Sequence, residues 1–215
     1  KTVHRFLLTL EQVGAISRVG RGQFSLGMTL ADLGSQVAVH RVLAEAVMQH
    51  LEPLSENLNE SVQAAVLEDF NIVSIAHIPS RHSLTIGIRV GRRWPAYCTS
   101  LGKVLIADMD EDTLDKYLDR SGLEKRTANT ITSPGKLKQH LKQVREQGYA
   151  INDQESERGM RGVAVPLKSL TGRTIAALSV SGPTARLPMS TLMKNKSELE
   201  LCASQVTKTL SGGQN

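Results

Sequence analysis

Apolar residues recur every three or four positions along residues 1–14, KTVHRFLLTLEQVG, where Val3, Phe6, Leu7, Leu10 and Val13 form one stripe. That spacing predicts an amphipathic helix. Thr2, Arg5, Thr9 and Gln12 make the polar side, and Gly14 takes the left-handed terminating position. Ile16, Val19, Phe24 and Leu26 then flank a Gly20-Arg21-Gly22 tip, the pattern of a short hairpin with a basic turn. Residues 28–51 return to helical steps through Leu30, Leu33, Val37, His40, Ala44, Val47 and Leu51. This heptad-like seam with one polar member fits either a dimerising linker helix or a core helix. Glu52-Pro53 is expected to end it, with LSENLN as a shorter helical piece beyond.

From residue 61 the period changes from about four to two. SVQAAVLED and NIVSIAHIP read as strands joined at Asp69-Phe70-Asn71, and SLTIGIRVG reads as a third strand. Helices are expected at about 101–108, 110–119 and 134–147, the last with Ser133 as N-cap and Pro134 in the first helical position. YAIND is a strand, and GVAVPLKSLTGRTIAALSVSGP a strand pair around Thr171-Gly172. A closing helix over 189–210 carries Leu192, Leu199, Cys202, Val206 and Leu210 on one side. Strands, then helices, then strands make an α+β domain with an antiparallel sheet.

Composition narrows the class. The 215 residues are 40% hydrophobic but only 3% aromatic, so aliphatic side chains must build the core. No apolar run reaches the ~18–20 residues of a membrane-spanning helix, and no charged start with an apolar h-region marks export. Cys98 and Cys202 are far apart and in no paired-ligand spacing, which fits a reducing cytosol rather than a disulfide or zinc framework. Of the net charge of +5, residues 1–24 supply +3 through Lys1, Arg5, Arg18 and Arg21 against Glu11. A basic end on a nearly neutral body points to a polyanionic partner there. The chain opens on Lys1 inside a helical pattern, and is therefore expected to be part of a longer protein.

Three chemistries compete for PAYCTSLGKVLIA, residues 95–107. A phosphate loop needs glycines well before the Gly-Lys pair and Ser or Thr after it; here Gly102-Lys103 is preceded by Pro95, Ala96, Tyr97, Cys98 and Thr99 and followed by Val104. A nucleophilic Cys98 needs a neighbouring base, and no spacing brings His77 or His82 to it. The third reading caps a helix with Thr99 or Ser100 and leaves its first N–H groups free to hold a carboxylate. Residues 152–162 could edge such a pocket, and Ser179 and Ser181 share one side of their strand. A mixed metal site of Cys98, Asp153, Glu155 and a histidine has no close ligand pair behind it.

In order and separation these segments resemble the IclR family of bacterial transcription regulators. KTVHRFLLTLEQVGAI is similar to that family's recognition helix, SRVGRGQFSLG to its wing, and LGMTLADLGS to the start of its linker helix. PAYCTSLGKVLIA, SPGKLKQHLKQVREQGYAINDQESERGMRGVAVPL and IAALSVSGP are similar to its effector-domain motifs. LTIGIRVGRRWPAYCTSLGKVLIA most resembles the regulators of aromatic-acid catabolism, with Trp94 where an aliphatic residue is expected and Asn152 where an acidic one often stands.

The resemblance implies part of a winged helix-turn-helix at 1–26, a long linker helix at 27–52, and a GAF-like effector domain at 53–215 whose antiparallel sheet is flanked by helices. It implies a non-enzymatic, cytoplasmic regulator of a catabolic operon, without metal or cofactor. Its partners would be double-stranded operator DNA, a small carboxylic acid, and further copies of itself as a dimer or tetramer. The effector pocket would comprise Trp94, Thr99, Ser100, Leu101, Asn152, Met160, Gly162, Ser179 and Ser181. DNA contact would fall to Lys1, Thr2, His4, Arg5, Arg18 and Arg21. Two other classes remain open on the residues themselves: an enzyme using Cys98, and a metabolite sensor acting on a protein partner.

Overall fold

The computed structural model describes residues 2–30 and 39–212. The chain forms two compact units, Lys1–Val42 and Leu43–Asn215.

In the first unit, helix α1 (Thr2–Gln12) is followed by strands β1 (Ile16–Gly20) and β2 (Gln23–Leu26). The strands pair antiparallel, with Ile16 opposite Leu26 and Arg18 opposite Phe24. Gly14 ends α1 with φ +72°, and the Ala15 N–H closes back on the Leu10 carbonyl at 2.9 Å. The helix–hairpin order is that expected from the sequence, although no residue of α1 is buried. The seam expected over 28–51 lies partly at 31–38, outside the described residues.

Helix α2 (Val39–Leu58) does not stop at Glu52-Pro53 as expected, but runs through Pro53. Proline removes one backbone donor there. Leu43, Val47, Leu51 and Leu54 are all buried on one side of this helix, and that packing outweighs the lost bond. Val47 and Leu51 thus serve the domain core.

The second unit is built on a six-stranded sheet of β3 (Ser61–Glu68), β4 (Asn71–Ile78), β5 (Arg93–Pro95), β6 (Ala150–Asp153), β7 (Met160–Lys168) and β8 (Thr174–Pro183). Their order is β5-β4-β3-β8-β7-β6, antiparallel throughout. Between β5 and β6 lie α3 (Ser100–Ala107), α4 (Glu111–Arg120) and α5 (Pro134–Gln147); α6 (Met189–Leu210) follows β8. Strand alternation sorts side chains to two faces. Val163, Val165, Leu167, Ala176, Leu178 and Val180 pack with α2 and α6, while Ala65, Ala164 and Ala177 pack with α3, α4 and α5. Small residues on the second face let α3 lie close to the sheet.

The expected third strand over 83–91 is absent; residues 79–92 are irregular and the strand is the short β5, whose Trp94 pairs with Ile72. Ile86 and Ile88 supplied the alternating signal, and both are half-buried there without strand pairing. Hydrogen bonds fix the ends of the segment. Ser80 N–H donates to Ser61 Oγ at 3.1 Å, and Gly91 N–H donates to the Ser74 carbonyl at 2.7 Å.

Candidate functional site

Helix α3 is held at both ends and in its middle. The Thr99 side chain caps it by accepting the Gly102 N–H at 3.0 Å. That leaves the buried Ser100 and Leu101 N–H groups as first-turn donors with no intrahelical acceptor. Residues Ala96–Cys98 form a 3-10 turn packed beneath this end. A Cβ on Gly102 would lie 2.2 Å from the Ala96 carbonyl oxygen, so only glycine permits the approach. At the other end Arg145 Nε donates to the Ala107 carbonyl at 2.6 Å, a cation placed where the helix dipole is negative.

The middle is anchored by Lys103, wholly buried, whose Nζ donates to the Ile151 carbonyl at 2.6 Å and to Glu155 Oε1. Burial lowers the Lys103 pKa, with Glu155 acting against the shift, and burial likewise raises that of Glu155. The pair ties α3 to the turn after β6. In that turn Asn152 Oδ1 accepts the Glu155 N–H at 2.9 Å and its Nδ2 donates to Ser156 Oγ at 2.7 Å. Asp153 points elsewhere, to an ion pair with Arg161 at 2.8 Å. Asn152 is therefore the cavity residue of the two.

A cavity of about 40 Å³ lies between the first turn of α3, the sheet, the Asn152 turn and the 79–92 segment. All nine residues expected from the sequence line it: Trp94, Thr99, Ser100, Leu101, Asn152, Met160, Gly162, Ser179 and Ser181. It is also lined by Gln63, Ile72, Ser74, Ile86, Gly87, Ile88, Arg92 and Ser156, which the sequence reading missed. Gln63 had a detectable signal, as the one polar side chain within the run VQAAVL, and register sets it opposite Ser179. The hydroxyls of Ser74, Ser179 and Ser181 are buried and have no hydrogen-bond partner. Such groups normally find one. Here these serines line the same cavity as Ser100 and Leu101 in the first turn of α3.

Cys98 is fully buried, its pKa pushed up to about 11 by that burial, and its Sγ lies 3.6 Å from the Pro95 carbonyl. A thiol so raised is protonated at neutral pH and not a nucleophile. Among the described residues no group of histidine, cysteine and carboxylate side chains is placed to hold a metal ion. No described helix is long and apolar enough to cross a membrane.

In the first unit Thr2, His4, Arg5 and Arg21 are exposed. Arg18 folds back, 3.6 Å from Glu11 and 5.5 Å from the centre of the Phe24 ring. Lys1 lies outside the described residues.

Residues 35–208 match the model of the bacterial transcriptional regulator IclR C-terminal domain. The chain belongs to the IclR family. It is 37% identical to the Pca regulon regulatory protein of Pseudomonas putida over 94% of this chain and 70% of the relative. It is 35% identical to the HTH-type transcriptional regulator KdgR of Escherichia coli over 96% of this chain and 79% of the relative. Among solved structures it is similar to an IclR homologue from Microbacterium hydrocarbonoxydans complexed with 4-hydroxybenzoate. The TM-score is 0.74 and the identity 26%, covering 99% of this chain and 86% of that one. The Pseudomonas and Escherichia relatives are both named as regulators.

Proposed function

We propose that this IclR-family regulator senses a small carboxylic acid, aromatic or dicarboxylic, in the cavity beside α3, and converts its binding into altered grip on double-stranded operator DNA. One observation carries the reading: Ser100 and Leu101, in the first turn of α3, line one cavity with Ser74, Ser179 and Ser181, whose buried hydroxyls have no partner. A carboxylate satisfies the N–H groups of that turn and is favoured by the helix dipole. Oxygens at the other end of the ligand satisfy those hydroxyls. The 4-hydroxybenzoate bound by the Microbacterium homologue has groups of both kinds.

A cavity of about 40 Å³ holds only a few water molecules. A ring or a six-carbon chain enters when the span 86–90, which sets Ile86, Gly87 and Ile88 against the cavity, moves off it. A ligand that prefers one placement of that span shifts the population of states. The shift is read out through the DNA-contacting end, where Thr2, His4, Arg5 and Arg21 are exposed, by changed half-site spacing or by assembly of dimers into tetramers.

Thermal-shift and calorimetric titration with benzoate, 4-hydroxybenzoate, 3,4-dihydroxybenzoate, succinate and adipate tests this. At least one acid should raise the melting temperature by mass action and change operator affinity. Continued regulation with no acid bound by the protein would overturn the reading.

A further inference from the structure

Two guanidinium groups beside the cavity have no carboxylate to neutralise them. Arg92 lines the cavity, and its guanidinium carbon lies 4.6 Å from the centre of the Trp94 ring. That of Arg126 lies 5.2 Å from the same ring centre. Their guanidinium hydrogen bonds go to neutral carbonyls, Arg92 to Gly87 at 2.7 Å and Arg126 to Ser156 at 3.2 Å. Among the described residues neither takes part in an ion pair, whereas Arg93, Arg161 and Arg186 of the same unit are each spent on a carboxylate.

A guanidinium has five N–H donors in a planar fork that matches a carboxylate bidentately. The contact with the indole, a cation–π interaction, holds that fork in place before any ligand arrives. The first turn of α3 already accounts for one carboxylate; Arg92, exposed at the 79–92 side of the same cavity, offers a full positive charge to a second acid group. We infer that the effector is a diacid, one carboxylate meeting the Ser100 and Leu101 N–H groups and the second meeting Arg92. Trp94 positions the guanidinium, and Arg126 adds to the positive potential at the ring. The inference rests on the carboxylate reading above and names the ligand class within it.

Calorimetric titration with two matched pairs, hexanoate against adipate and benzoate against terephthalate, reads the second acid group alone. In the unaltered protein the diacid of at least one pair should bind about tenfold or more tightly than its monoacid, as a charge-assisted bond warrants. Arg92→Gln should shrink that advantage, lowering diacid affinity far more than monoacid affinity, and the monoacid binding that persists reports that the variant is folded. Arg92→Lys should keep more of that advantage. Equal binding within both pairs overturns the inference while leaving the carboxylate reading in place. So does an Arg92→Gln variant that weakens both members equally, because Arg92 would then only brace the 86–90 span through Gly87. Failure of all four acids to bind overturns this inference and counts against the carboxylate reading itself.

Discussion

Ser179 and Ser181 are costly residues for a folded domain, with hydroxyls buried and unpartnered on the cavity side of β8. An unmade buried hydrogen bond costs about 1–3 kcal/mol. Ser179→Ala and Ser181→Ala should therefore leave the ligand-free protein at least as stable in chemical denaturation while weakening acid binding. A loss of stability in both would mean these hydroxyls serve the fold rather than a ligand. Gly102 makes the opposite case. Gly102→Ala drives a methyl into the Ala96 carbonyl and should cost about 1–3 kcal/mol, seen as a lowered denaturation midpoint. At this scale the sequence was informative where a residue type has few uses, as with the cap Thr99 and the paired serines. Arg92 and Ser74 were not legible. Nothing in their neighbours along the chain shows that β4 and the irregular 79–92 segment bring them to one cavity.

Helix α3 is the element on which the site depends, and its buried Lys103–Glu155 pair is its fastening. Removing one member of such a pair leaves the other charge uncompensated. Lys103→Met should cost about 3–5 kcal/mol in urea denaturation, and adding Glu155→Leu should restore much of it. Equal destabilisation by the single and double changes would contradict that assignment. On α5, burial and the nearby Lys103 charge push the His140 pKa from 6.5 down to about 4. The unfolded chain thus takes up the proton first as pH falls, and stability drops between pH 6.5 and 4. His140→Leu should flatten that part of the pH–stability profile, with a residual slope from His77, which burial lowers in the same direction.

Element type followed the hydrophobic pattern in α6, whose apolar stripe packs on the sheet, and in the central strands β3 and β8, whose runs are buried on both faces. It failed in two places where other forces govern. In α2, burial of Leu51 and Leu54 carries the helix through Pro53; in residues 83–91, the alternating isoleucines meet the cavity instead of a neighbouring strand.

At the scale of the whole molecule, the order of motifs along the chain is enough to mark an IclR regulator. The family's architecture follows that order, whereas the ligand is decided by groups that only the fold assembles. The account rests on a carboxylate sitting at the first turn of α3. The most direct measurement is a titration followed by amide NMR of the isotopically labelled protein, using an acid that raises its melting temperature. The Ser100 and Leu101 amide protons should move downfield and saturate with the calorimetric affinity, as expected for N–H groups donating to an anion. Saturable binding that leaves both amides unmoved would contradict it.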